Sequence, residues 1–217
     1  MDISQEKLVK IITQKVIEKL NENEEVLIPI GISNRHVHLS REHLKYLFGK
    51  EYELTKIKDL KQPGQFAAGE VVTLKGPKGE IENVRILGPL RDETQVEISV
   101  TDSFKLGVNP PIKESGNLDN TPGIKIIGPK GSIELRKGTI VALRHIHMPR
   151  DIAKKLNLKD KDEVDIEING VRRAILGNVL IRVSDKYALE MHLDMDEANA
   201  CCVKNNDLVK IVQNIRK

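Results

Sequence analysis

Apolar positions along the chain change their period near residue 25. Before it, Ile3, Leu8, Ile11, Ile12, Val16 and Leu20 fall close to helical spacing, which predicts an amphipathic helix over residues 2–20. Asp2 or Ser4 can cap its start, and Asn21-Glu22-Asn23-Glu24 follows as a polar linker. Such a helix either packs on its own domain or lays its apolar face on a partner. From Glu25 onward, short runs of Val, Ile and Leu are broken by Gly, Pro, Asn and Asp, a β texture. Strands are predicted at Val26–Ile32, Glu70–Leu74, Ile81–Leu87, Thr94–Val100, Gly123–Ile127 and Ser132–Leu135. Others follow at Thr139–Leu143, Glu163–Ile168, Val171–Leu176, Asn178–Val183 and Leu208–Val212. Gly76-Pro77-Lys78-Gly79, its repeat Gly128-Pro129-Lys130-Gly131, and Asn169-Gly170 have hairpin-turn chemistry. Short helices are predicted at Arg41–Phe48, Arg150–Leu156 and Asp196–Val203. Many short strands with few helices predict a mainly β fold built from barrels.

The β region is internally duplicated. Arg35-His36-Val37-His38-Leu39-Ser40 matches Arg144-His145-Ile146-His147-Met148-Pro149, and a short helix follows each. Asn83–Gly88 echoes Arg172–Gly177, and Val96-Glu97-Ile98-Ser99 echoes Leu189-Glu190-Met191-His192. A repeat of about 100 residues is too long for a solenoid and predicts two related β-domains.

Composition narrows the function. The 217 residues suffice for one large domain or two small ones. A net charge of +3, without a basic block and with few aromatics, gives nucleic acid little to bind. No apolar run approaches the roughly 20 residues of a membrane span, and no secretory signal is visible. The adjacent Cys201 and Cys202 read as reduced thiols of a cytoplasmic protein.

The chemistry concentrates in histidine. Four of six His lie in the two His-x-His pairs. On a strand, positions i and i+2 face the same way about 6.6 Å apart, so two imidazoles can converge on one ion. A third ligand is needed, and the matching places are filled by Glu97 and His192. The expected groups are therefore His36, His38 and Glu97 for one metal, and His145, His147 and His192 for another. Three protein ligands per ion leave the position that catalysis requires. His43 is expected at the surface. Arg35 and Arg144, pointing away from the His, are expected to be structural. Arg91 or Arg85 beside a metal would hold an anion such as phosphate. There is no Walker loop, dinucleotide-binding glycine motif or nucleophile elbow.

These segments resemble one family. Ile28–Ser40, Gly88–Asp102, Arg144–Pro149 and His192-Leu193-Asp194-Met195-Asp196-Glu197-Ala198-Asn199-Ala200 are similar to the PduL-type phosphate propanoyltransferases, phosphotransacylases of bacterial microcompartments. The resemblance covers residues 25 to 212. It implies two β-barrels with short capping helices: 25–34 with 143–217 in one, 35–142 in the other with a small insertion at about 49–69, and 1–24 as helix and linker. It also implies two zinc ions per chain, with His36, His38 and Glu97 holding the one that meets the coenzyme A sulfur. Arg91 matches the phosphate-binding position. Ser33, Lys58, Arg85, Leu87, His192 and Asn199 match the coenzyme A site, and Gln95 and Ser115 match polar active-site positions. The implied reaction converts acyl-CoA and phosphate reversibly to acyl phosphate and CoA, with the acyl chain open between acetyl and propanoyl. A homodimer or larger assembly inside a microcompartment is implied too. Residues 2–20 then read as an encapsulation peptide for shell or core proteins. The rival readings are a zinc hydrolase of an ester or phosphate, and a metal-stabilised scaffold with closed four-ligand sites.

Overall fold

Apolar positions of period two bury themselves in two separate cores. One gathers Ile28 and Ile30 with Ile146, Met148, Val164, Ile166, Val179, Ile181, Met191 and Leu193. The other gathers Val37, Leu39, Val72, Leu74, Val84, Ile86, Val96, Ile98 and Ile126, closed over by Leu44 and Leu47. The computed structural model describes residues 25–216 and positions 7, 9, 12 and 13. The helix expected over residues 2–20 otherwise lies outside the described residues.

In chain order the strands are β1 (Ile28–Ser33), β2 (His36–His38), β3 (Lys56–Asp59), β4 (Phe66–Lys75), β5 (Glu80–Gly88), β6 (Gln95–Glu97), β7 (Ile112–Lys113) and β8 (Lys125–Ile127). They continue with β9 (Ser132–Glu134), β10 (Thr139–Ala142), β11 (His145–Met148), β12 (Glu163–Ile168), β13 (Ala174–Val183), β14 (Glu190–Asp194) and β15 (Leu208–Arg216). Among the described residues 25–216, four short helices accompany them: α1 (Arg41–Phe48), α2 (Val100–Leu106), α3 (Arg150–Lys155) and α4 (Met195–Cys201). The fold is mainly β, as expected. The first core lies in a closed barrel of order β1-β14-β11-β13-β12-β15, shut by pairing of β1 with β15. The N-terminal strand thus joins strands from the far end of the chain. The second core lies under a half-barrel sheet of order β7-β10-β6-β2-β5-β4-β8-β9, with β3 attached to β4.

The duplication is local and geometric. β2 pairs parallel with β5 and antiparallel with β6, and β11 pairs parallel with β13 and antiparallel with β14. In both halves the strand bearing the third ligand runs straight into a helix opened by a capping box: Ser99 with Asp102 before α2, Asp194 with Glu197 before α4. The Arg of each Arg-His-x-His then grips the acid of that box. Both Arg35–Asp102 contacts are 2.8 Å, and Arg144 Nε lies 3.0 Å from Glu197. The structural role expected of these two Arg is thus to lock each His strand to the helix beyond its ligand partner. The repeated Gly-Pro-Lys-Gly turns obey the same logic. Lys78 N donates to Leu106 O at the end of α2, and Lys130 N to Leu47 O at the end of α1. A Cβ at Gly76 would stand 2.1 Å from that Leu106 oxygen, so only glycine fits.

Three expectations change. The run Thr94–Val100 is a strand only to Glu97, because the capping box at Ser99 starts α2. The runs predicted at Val171–Leu176 and Asn178–Val183 merge into one strand, β13, which starts only at Ala174 after the turn and whose pairing with β12 is interrupted by a bulge where Asn178 takes a φ of 55°. The Asn83–Gly88 echo of Arg172–Gly177 is not the spatial repeat. His36 pairs with Arg85 and His145 with Leu180, so Arg85 corresponds to Leu180, beyond the echoed segment.

Candidate active site

Strand register assembles the site. His36 is directly opposite Glu97 across β2 and β6, and His145 is opposite His192 across β11 and β14. With His38 and His147 two residues on, this gives two groups whose ligand atoms all lie within 4.8 Å of one another. They are the two groups expected from the sequence. Both open on one cavity of ≈ 220 Å³ between barrel and sheet.

Hydrogen bonds aim the donors. Nδ1 of His36, His38 and His145 bonds the carbonyls of Asn34 (2.8 Å), Leu87 (3.2 Å) and Leu143 (2.8 Å). A carbonyl only accepts, so Nδ1 carries the proton and Nε2 keeps its lone pair. Glu97 is aimed likewise. Its Oε1 accepts from the Gln95 amide and from the Ser115 hydroxyl at 2.9 Å, which leaves Oε2 facing His36 Nε2 at 3.5 Å. Gln95, only 1% exposed, is fixed in turn by the Gly116 amide.

The donor sets fit a metal. Nε2 of His145 and of His147 lie 3.1 Å apart, and His147 Nδ1 is buried without a hydrogen-bond partner. Three imidazole rings with centroids 4.7 to 5.0 Å apart, only one of which meets an acid, make a poor apolar core and a good ligand set for zinc. At the other group a cation already touches a donor: Arg91 Nη2 is 2.8 Å from His38 Nε2. Arg91 also donates to Ser115 Oγ at 3.0 Å, and burial lowers its pKa. Its hydrogen-bond partners are neutral and no carboxylate pairs with it directly, although the Glu97 carboxylate acts on it electrostatically, so the guanidinium can still meet an anion in the cavity.

Charge states follow from burial. Burial pushes the His145 pKa down to about 4, helped by charge on His192. It pushes His147 down to about 2, helped by His145 and His192, and lowers His38 well below 6.5. Burial alone would raise Glu97, but His36, His38, Arg91 and the Ser115 bond outweigh it and hold the carboxyl at about 2. Near neutral pH these imidazoles are neutral and the carboxylate charged, the forms that bind metal.

The remaining expected residues divide. Ser33, Leu87, Arg91, Ser115 and His192 line the cavity, and Gln95 supports it from behind. Lys58 and Asn199 are exposed and outside the cavity wall. Arg85 also lies outside it and bonds the carbonyls of Ala68 and Gly69. His43 is half-buried rather than superficial, because its Nδ1 bonds Thr94 Oγ1 at 2.7 Å. Four residues of the site went unpredicted. Arg182, opposite His147 in the register, and Tyr187, edge-on to the His147 ring, line the cavity. Glu190 accepts from His192, and Gln62 reaches Glu190 from the β3–β4 loop. Only Glu190 has a sequence signal, standing two before His192 as Gln95 stands two before Glu97.

Comparison with known proteins decides the family. The profile described as Phosphate propanoyltransferase matches residues 29–204. The chain belongs to the phosphate propanoyltransferase family. A relative of that name from Thermotoga maritima is 55% identical over 94% of this chain and 100% of its own. Another, from Rhodopseudomonas palustris, is 57% identical over 85% of this chain and 81% of its own. One from Clostridioides difficile is 50% identical over 96% and 99%. Membership makes the chain a phosphotransacylase, a transferase that moves an acyl group. Among the described residues no helix is long and apolar enough to cross a membrane.

Burial of neutral His sets a pH dependence. His145 and His147 titrate near 6.5 when unfolded and at about 4 and about 2 when folded, so the unfolded chain takes up their protons first. Their contribution is fully present above pH 6.5 and is lost as pH falls below it. Metal-free protein should lose about 2 kcal/mol of unfolding free energy between pH 7.5 and 5.5, as measured by urea titration. An unchanged midpoint at pH 5.5 would contradict neutral, buried imidazoles.

Proposed function

We propose that this enzyme interconverts acyl-CoA plus phosphate and acyl phosphate plus CoA, with propanoyl or acetyl as the acyl group, at a centre holding two zinc ions. The observation that carries the reading is the opening of two three-donor groups and the Arg91 guanidinium onto a single cavity. His36, His38 and Glu97 would hold one ion, and His145, His147 and His192 the other. Bound there, zinc would supply Lewis acidity that favours a thiolate over a thiol and offsets charge on a carbonyl oxygen.

The chain's own groups do the rest. Arg91, whose hydrogen-bond partners His38 and Ser115 are neutral, binds the phosphate and orients an oxygen toward the thioester carbonyl. That oxygen forms the new C–O bond, the C–S bond breaks, and CoA leaves as thiolate, so no side chain is acylated. Gln95 and Ser115 act through Glu97 by fixing its free oxygen. Ser33, Leu87 and His192, on the cavity wall, meet the thiol end of coenzyme A, while Lys58, Arg85 and Asn199, outside it, take the longer nucleotide end. Residues 2–20 serve as the peptide that docks the enzyme, as a dimer or larger assembly, to shell or core proteins of a cytoplasmic microcompartment. A hydrolase reading is disfavoured by membership of a transferase family, within which an Arg91 cation facing the cavity suits a phosphate co-substrate.

Thiol release from propanoyl-CoA or acetyl-CoA should require phosphate and vanish after chelation. Arg91→Gln should lower kcat/KM for phosphate by about 100-fold or more, since it removes a charged contact in a buried site. Thiol release that proceeds without phosphate, or survives full metal removal, would overturn the reading.

A further inference from the structure

The two halves of the site share an arrangement that extends beyond the ligands. His38 is opposite Gln95, and His147 is opposite Glu190. Gln95 and Glu190 therefore occupy equivalent places, each two residues before the third ligand of its group and on the same face of its strand. Each bonds that ligand: Gln95 bonds Glu97, and Glu190 Oε2 is 2.8 Å from His192 Nε2. The pairings are chemically complementary. The carboxylate ligand receives an amide donor, and the imidazole ligand receives a carboxylate acceptor. A carboxylate at this distance requires the proton on Nε2, which leaves Nδ1 as the donor atom of His192.

Glu190 is held firmly. It is 8% exposed, and its carboxylate rests on the backbone of β1 at Gly31, where a Cβ would meet Glu190 Oε1 at 2.7 Å. Gln62, 3% exposed, donates to Glu190 Oε2 at 3.1 Å and to Ala188 O at 3.0 Å, while its own oxygen accepts from Ala188 N. Gln62 belongs to the half-barrel unit, so this bond crosses to the barrel, whereas Ser115, which steadies Gln95, lies in the same unit as Gln95.

We propose that Glu190, steadied by Gln62, is the positioning residue of the three-histidine group: it fixes the ring of His192 and selects which nitrogen is offered to the metal. This rests on the two-metal reading of the site. Glycine fits at position 31 of β1 because the Glu190 carboxylate fills the space of a side chain there.

The test uses full-length, zinc-loaded protein and a colorimetric chelator, with released and retained metal counted per chain. Glu190→Leu should release one of two ions at about 10- to 100-fold lower chelator concentration, leaving the other unchanged. Glu190→Gln, whose carbonyl still accepts from His192, should stay within about threefold of the unmodified protein. Gln62→Ala should ease the same single ion by a smaller factor, and it decides the matter if Glu190→Leu does not fold. Equal loosening of both ions, no loosening in the Leu and Ala variants, or a Gln variant as damaged as Leu would each overturn the proposal. Unmodified protein that holds fewer than two ions would overturn the two-metal reading itself, whereas two ions held without acyl transfer would overturn only the reaction.

Discussion

The pairing of His36 with Glu97 and of His145 with His192 is the constraint on which the rest depends. Side chains on a strand alternate, so a slip of one residue in either pair would send two donors to the wrong face. Much of the surrounding structure secures this register. Arg35 and Arg144 tie the His strands to the first turns of α2 and α4, and those helices follow directly from the strands carrying Glu97 and His192. The two glycine-bounded turns seat on helix ends, where a side chain would not fit. The apolar residues between the ligands, Val37 and Ile146, are fully buried and anchor the two strands in separate cores.

Similar halves need not do the same work. One group takes the Glu97 carboxylate as a donor and lies against Arg91; the other offers only imidazole donors, with the Glu190 carboxylate behind His192 and Arg182 nearby. A duplicated strand pair thus yields two sites with different donor sets facing one cavity. That asymmetry suits a reaction with two unlike partners, a thiolate and a phosphate.

Much of this was legible in the sequence because its signals are local. A His-x-His on a strand is read from spacing alone, and the two copies of Arg-His-x-His mark the two groups of donors that the structure brings together. The predicted helix Arg41–Phe48 is present, with Ser40 as its N-cap. The start of α2 was missed because Val96-Glu97-Ile98 continues smoothly into Ser99, although Ser99-x-x-Asp102 carried a capping-box signature. Gln62 and Arg182 were not legible, since a long-range bond from a loop and a cross-strand neighbour leave no mark in local spacing. The sequence echo sets Glu190 against Glu97, two residues from its spatial equivalent, Gln95.

The central claim is that two distinct metal ions share this cavity. Diffraction from crystals of the purified protein, collected on either side of the zinc absorption edge, tests it directly. The account predicts two anomalous peaks per chain, one bounded by His36, His38 and Glu97 and the other by His145, His147 and His192. A single peak, none, or an ion enclosed by four protein ligands would contradict it.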